Sequence, residues 1–335
     1  MRTPEEPALR AGEPAGVRTA VVLDAPVLRA EPDGAYTRLV LRAPAAAASA
    51  RPGQFAACST GDSGMLLRRS FSIAAADAGA GTLEVVVAAA GAGTARIARL
   101  RAGDRLPVVA PLGRPFVLPP AGEGVVLVGG GYGSAPLAWL GRALRGRDGA
   151  VDLVVGAGDE RRLLAHDVAT AASGAPDAPV DRVHVATEDG SAGARGRVTD
   201  LLGPVLAAHG ARHVLACGPM AMLRAVHDVA TAAGAATQLA TEESMACGVG
   251  VCMTCVLPVV GDDGRTRMLR ACTDGPVFAG DRLRWDAIGA PSPQRPAGVG
   301  ARVPVDAVGA PAATPAPVPG GGDAVPPGAT AGQER

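Results

Sequence analysis

From residue 17 to about residue 119, short β-rich apolar runs alternate with polar turn residues. Runs at 36–42, 83–88 and 105–109 fit strands, with Glu31-Pro-Asp-Gly34 and Gly103-Asp104 as turns between them. Many short strands at this spacing predict an antiparallel β-barrel. From residue 124 the rhythm changes to apolar run, glycine loop, helical spacing. Strands are expected at 125–128, 151–155, 183–187 and 213–217, and helices over 135–145, 163–171, 198–208 and 220–232. Strands that alternate with helices make a doubly wound parallel sheet with crossover helices. The expected division is therefore a barrel at 17–119, an α/β domain at 120–236 and a small cysteine-bearing domain at 237–289. Residues 1–16 and the Pro/Ala/Gly-rich 290–335 lack apolar periodicity and read as a disordered arm and tail.

A length of 335 residues suits two or three domains. Thirty-two arginines balance 32 acidic residues, so the chain carries no electrostatic footprint for nucleic acid. The first residues hold acids and prolines where a signal peptide needs an apolar core. The most apolar stretch, 125–140, is broken by four glycines and a proline, whereas a membrane helix needs about 20 mostly apolar residues. A cytoplasmic protein with no membrane contact is expected.

Four of the six cysteines form one pattern: Cys247, Cys252 and Cys255 in ACGVGVCMTC, then Cys272 after a short strand-turn-strand. This C-x4-C-x2-C…C spacing is that of plant-type [2Fe–2S] ligation by four thiolates. Gly248 and Gly250 let the loop curl so that backbone N–H groups face the sulfurs. Zinc is the alternative, though its sites more often use paired C-x2-C or C-x2-H knuckles. Cys58 and Cys217 lie far apart and do not form a secreted disulfide framework; each reads as a buried structural cysteine.

Other motifs are weaker alone. The segment from Val125 to Leu137 runs from strand through Gly129, Gly130, Gly131, Gly133 and Ser134 into a helix, a turn suited to a pyrophosphate. It departs from G-x-G-x-x-G because Pro136 takes the third glycine's place, so a plain tight turn stays open. Cys217-Gly218-Pro219 ends a later strand, where open α/β sheets bind ligands. In the barrel, Arg69, Ser70, Phe71 and Ser72 offer a guanidinium, an aromatic ring and hydroxyls. Gly93 and Thr94 precede an expected helix.

The order of these pieces carries a resemblance. R-x-F-S, G-x-G-T, GGGYGSAPL, CGPM and the four cysteines follow one another as in the ferredoxin–NADP reductase superfamily. Within it, the chain most resembles the electron transfer subunits of dihydroorotate dehydrogenase B, over about 17–289. MACGVGVCMTC with ACTDGPVF, PLGRPF (111–116) and TEDGSAGARGRVTDLL (187–202) carry the likeness. The resemblance implies FAD contacts from Arg69, Ser70, Phe71 and Ser72, backbone contacts at Val86, Val87 and Ala88, and pyrophosphate contacts from Gly93 and Thr94. It implies NAD contacts from the Gly129–Ser134 loop and from Cys217, Gly218 and Pro219. Cys247, Cys252, Cys255 and Cys272 would ligate the cluster. Three positions depart from the usual pattern: Ala92 for a basic residue, Ser70 for a proline, and Ser244 for an arginine.

The implied activity is a relay in pyrimidine biosynthesis. Electrons from an FMN-containing dihydroorotate dehydrogenase catalytic subunit, in a heterotetramer, would pass through [2Fe–2S] and FAD to NAD⁺. A related NAD(P)H:ferredoxin or sulfide-type oxidoreductase subunit shares every visible motif, and a regulatory module that kept the fold is a third possibility. No general acid, nucleophile or triad is nominated. The five histidines lack metal-ligand spacing. Glu242 and Glu243, directly before the cysteine loop, read as facing the flavin or the partner subunit, or equally as a solvated pair. Asp159 and Glu160 favour NAD, while Arg161 and Arg162 favour a 2′-phosphate.

Overall fold

The computed structural model describes residues 20–288 apart from 62–63, 174 and 176–177. The expected terminal arm and tail lie outside the described residues. Six strands, β1 (Val21–Asp33), β2 (Tyr36–Arg42), β3 (Phe55–Cys58), β4 (Arg69–Asp77), β5 (Thr82–Ala88) and β6 (Arg105–Leu112), close an antiparallel barrel in the order β1-β2-β5-β4-β3-β6. Alternation fills it. Leu83, Val85 and Val87 of β5 face inward with Leu39 and Leu41 of β2 and Ile73 of β4, all fully buried. Two short helices, α1 (Pro44–Ala47) and α2 (Ala92–Ala98), attach to this barrel.

The expected turn at 31–34 is shorter in the structure. β1 runs through Asp33, and only Gly34 and Ala35 turn, with Gly34 at a φ of +60°. A two-residue hairpin loop needs that left-handed conformation, which glycine adopts without strain. Likewise α2 begins at Ala92, so Gly91 is its N-cap and Gly93 and Thr94 lie inside its first turn.

The second half is a seven-stranded sheet. Its strands are β7 (Val125–Gly130), β8 (Val151–Ala157), β9 (Arg182–Thr187), β10 (Ala194–Arg195), β11 (His213–Gly218) and β12 (Ala236–Thr241), all parallel, with one antiparallel edge strand described below. Helices α3 (Ala135–Leu144), α4 (Ala165–Ala171), α5 (Val198–His209) and α6 (Met220–Ala232) cross between the strands. From β7 the chain winds outward to β10, then returns to β11 on the other side of β7. The switch point between β7 and β11 opens a crevice at the strands' carboxyl ends.

The cysteine segment adds a two-stranded hairpin, β13 (Val256–Val260) and β14 (Thr266–Arg270), and then β15 (Val277–Ala279), the edge strand antiparallel to β12. Cys255, Leu257, Ala271, Cys272 and Phe278 share one buried cluster with Val126, Val214 and Leu239 of the sheet. The segment is thus stitched to the sheet by pairing and by packing.

Candidate functional site

Strand β4 sets Ser70, Phe71 and Ser72 along one wall of a cleft of about 310 Å³, and Val86 joins them from β5. Tyr132 and Ala135 close it from the β7–α3 loop, and Thr241, Glu242 and Met245 from the chain after β12. Val87 points into the barrel core, while Ala88 is half-buried beside Val86. Arg69 lies against α2: a Cβ on Gly93 would fall 2.7 Å from its Nε, so only glycine lets the guanidinium come so near the helix start. The cation beside this bare backbone is a cradle that fits a phosphate. Thr94 serves the helix instead, its hydroxyl accepting from Gly91 N–H at 3.0 Å and donating to Gly91 O at 3.1 Å.

Three parts of the chain converge at the cleft's inner end. Burial, reinforced by nearby Glu242, pushes the Cys217 thiol at the end of β11 up, and Ser72 from the barrel acts against that rise. Burial pushes the Glu242 carboxyl up to about 7 and also raises Glu243. The two carboxylates form part of the cleft wall.

A second cleft, of about 400 Å³, occupies the switch-point crevice. Of the residues expected there, Gly130 and Pro219 line it. Gly129 and Gly133 act through packing: a Cβ on Gly133 would meet Gly218 Cα at 2.6 Å, and one on Gly129 would meet Ser134 Cβ at 2.5 Å. Ser134 donates its hydroxyl to Gly131 O at 2.7 Å, holding the turn, while Gly131 adopts a φ of +54°. Sequence reasoning did not single out Glu188, Arg197, Thr199 and Met222, which complete the wall. Glu188 and Arg197 stand 3.7 Å apart as an ion pair, and both fall in the TEDGSAGARGRV run, which was the signal available. Asp159, Arg161 and Arg162 do not line this cleft. Asp159 accepts from Arg162 N–H, and the carbonyl oxygens of Arg161 and Arg162 accept from Ala35 N–H and the Tyr36 hydroxyl.

The cysteine loop curls as its glycines require, with Gly248 at a φ of +71° and Gly250 at +82°. Cys247 Sγ accepts from the N–H groups of Val249 and Val251 at 3.4 Å each, and Cys252 Sγ accepts from the Thr254 hydroxyl at 3.2 Å. The Thr254 hydroxyl and N–H, with help from Cys247, bring the exposed Cys252 thiol down to about 6. Burial and the neighbouring Cys255 push Cys272 up to about 12. Cys247 lies near enough to act on the Cys252 thiol, and both Cys255 and Cys247 act on Cys272. Among the described residues, no three His, Cys, Asp or Glu side chains are gathered for one metal ion. Four thiols on one short segment, two of them accepting from backbone or hydroxyl donors, are a donor set that would suit an iron–sulfur cluster. PLGRPF pins this segment to the barrel, with Arg114 N–H donating to Gly275 O at 2.6 Å.

The other candidates are structural. His184 and His209 flank buried Asp152, His213 pairs with Glu123, and His227 bonds Thr237 at 2.8 Å. Cys58 is buried in the barrel. Among the described residues no helix is long and apolar enough to cross a membrane.

Comparison with known proteins agrees with this geometry. Residues 242–284 match the iron-sulfur cluster binding domain of dihydroorotate dehydrogenase B, and residues 127–228 match the oxidoreductase NAD-binding domain. Among curated relatives, the dihydroorotate dehydrogenase B (NAD(+)) electron transfer subunit of Listeria monocytogenes serotype 4a is 35% identical over 234 residues, 69% of this chain and 87% of that protein. Its Bacillus caldolyticus counterpart is 38% identical over 233 residues, covering 68% and 84%. Among solved structures, an NADH-dependent reduced ferredoxin-NADP oxidoreductase superposes with a TM-score of 0.68 at 26% identity, covering 79% of this chain and 91% of that one. A Neisseria gonorrhoeae ferredoxin NADP⁺ reductase with bound FAD and NADP shares the fold at a TM-score of 0.50 and 19% identity, covering 64% and 92%.

Proposed function

The chain belongs to the family of dihydroorotate dehydrogenase B (NAD(+)) electron transfer subunits, and from that premise we propose how its residues divide the work. It is an NAD-linked flavin and iron–sulfur oxidoreductase subunit. When bound, [2Fe–2S] supplies single-electron transfer, FAD the exchange between single electrons and pairs, and NAD the hydride-accepting end.

Cys247, Cys252, Cys255 and Cys272 hold the cluster, and the N–H groups of Val249 and Val251 offset its negative charge. Arg69, with the bare backbone at Gly93, takes the FAD phosphates, while Ser70, Phe71, Ser72 and Val86 line the isoalloxazine cleft. Gly130, Pro219, Glu188 and Arg197 form the NAD cleft. Glu242 holds a proton on its carboxyl below about pH 7, next to the cleft. One observation carries the reading: Met245 stands in the flavin-side wall, and Cys247 is only two residues further on. The cluster loop also packs on the barrel there, a Cβ on Gly248 lying 3.5 Å from Phe55.

The relatives are named as subunits, so a catalytic partner follows; we assign it as FMN-containing and dihydroorotate-oxidising, joined in a cytoplasmic heterotetramer. Val249, Val251 and Met253, exposed and next to Cys252 in the loop's sequence, offer that partner an apolar landing. A related NAD(P)H:ferredoxin oxidoreductase role draws support from the relative with the TM-score of 0.68. Co-purification separates the two: capture of a dihydroorotate-oxidising subunit supports the first, and electron transfer to ferredoxin without it supports the second. Cys252→Ser should abolish the cluster while FAD stays bound. Unchanged iron content and EPR signal in that variant would remove Cys252 from the ligand set.

A further inference from the structure

Strand β14 ends at Arg270, and the turn after it brings the fourth cysteine against the cysteine loop. Gly250 is where the two meet. Arg270 Nη1 donates to Gly250 O at 3.2 Å, and its Nε donates to Asp274 Oδ2 at 3.3 Å. The same carboxylate oxygen accepts from Arg270 N–H at 2.9 Å. Thr273 N–H and Asp274 N–H close the turn on Arg270 O, at 3.1 and 2.8 Å. Burial and Cys255 raise the Cys272 thiol, and the Gly250 N–H beside it opposes that rise. The loop is therefore clamped to residues 270–274.

Thr273 packs against the Gly250 backbone within this clamp. A Cβ on Gly250 would fall 2.8 Å from Thr273 Cγ2 and 3.5 Å from its Oγ1, so only glycine lets the loop lie so close. The Thr273 hydroxyl is buried, yet among the described residues it has no hydrogen-bond partner. A buried hydroxyl left unpaired is destabilising, and native structures seldom keep one. Its surroundings are Cys272, next in the chain, and the loop that carries Cys247 and Cys252. Thr254 makes the corresponding bond in that loop, its hydroxyl donating to Cys252 Sγ at 3.2 Å.

We propose that the Thr273 hydroxyl donates a hydrogen bond to the [2Fe–2S] cluster and so helps to set its reduction potential. This rests on the reading of Cys247, Cys252, Cys255 and Cys272 as the cluster's ligands. Hydrogen bonds to the sulfurs are one of the levers that set a cluster's potential. A donor facing sulfur gains strength as the cluster takes on negative charge, so it favours the reduced form. Thr273 thus acts on electron transfer without holding iron, and the Arg270 clamp keeps the loop seated over it.

The test uses the full chain loaded with FAD and cluster, as wild type, Thr273→Val, Thr273→Ala and Thr273→Ser. Valine keeps the shape and removes the hydroxyl; serine keeps the hydroxyl. Midpoints are read by anaerobic redox titration followed by EPR, with iron and sulfide assayed in every protein. At a fixed applied potential, Thr273→Val should hold roughly three- to tenfold less reduced relative to oxidised cluster, a midpoint lower by about 30–60 mV. Its iron content should match wild type. Thr273→Ala should fall with it, and Thr273→Ser should stay near wild type. Should the valine variant assemble no cluster, the alanine variant decides. A wild-type midpoint in the variants without the hydroxyl would overturn the proposal, leaving a hydroxyl bonded to water or to nothing. An equal fall in Thr273→Ser would overturn it too, by assigning the shift to packing. A wild-type chain with no [2Fe–2S] signal even after dithionite would overturn the four-thiolate reading itself. The iron and sulfide assays keep these failures apart.

Discussion

Glu242 shows how one buried group makes the fold sensitive to pH. Burial holds its carboxyl at about 7, while in the unfolded chain it titrates at about 4.3. Below that lower value both states are protonated. As pH rises from there to about 7, the unfolded chain releases a proton that the folded chain retains, so stability falls across this window and levels off above it. The loss is at most about 4 kcal/mol. Glu242→Gln should flatten that slope, read as urea midpoints at pH 5 and pH 8 beside wild type. An identical drop in both proteins would assign the slope to other groups, Glu243 first among them. In the sequence this residue was only half legible: its place before the cysteines was plain, but the cleft it lines is built with Ser72 and Tyr132, each far away along the chain.

The strand-to-helix turn after β7 is the element on which the nucleotide cleft depends. Its glycines lie against Gly218 and Ser134, and Gly130 forms cleft wall. Gly133→Ala should force apart the loop and the end of β11, costing roughly 1–3 kcal/mol and weakening NAD⁺ binding. Gly91→Ala, where an added Cβ meets nothing within 4 Å, should cost only the change of an N-cap residue, about 1 kcal/mol, and leave NAD⁺ binding unchanged. Calorimetric melts with an NAD⁺ titration check both, and equal behaviour of the two variants would contradict the packing argument. Elements with strong periodicity could be read in advance. The helix expected over 135–145 is α3 at Ala135–Leu144, and the expected strands at 36–42 and 105–109 are present, the second extended to Leu112. What could not be read was pairing at a distance. Nothing local says that β15 adds to the sheet beside β12, or that Glu188 and Arg197 face a cleft.

Across the whole molecule, the two clefts keep their relation because the β1–β2 hairpin is anchored in the α/β half. Arg38 is the centre of this contact. Its Nη2 donates to Asp33 at 2.8 Å and to Asp167 of α4 at 2.9 Å, and its Nη1 to Glu84 of β5. Its side chain is 7% exposed. Arg38→Met would leave these carboxylates without their cation, and it should cost about 3–5 kcal/mol, seen as a lower urea midpoint. A loss below about 1 kcal/mol, the size of an exposed pair, would contradict the bridging role. The central claim is that one chain joins a nicotinamide site, a flavin cleft and a four-thiolate cluster into a single path. The most direct measurement is an anaerobic titration of the purified chain with NADH, followed by visible absorbance and EPR, with iron, sulfide and flavin assayed on the same sample. The account predicts flavin bleaching together with the signal of a reduced [2Fe–2S] cluster. A chain that holds neither flavin nor iron after anaerobic reconstitution would contradict it.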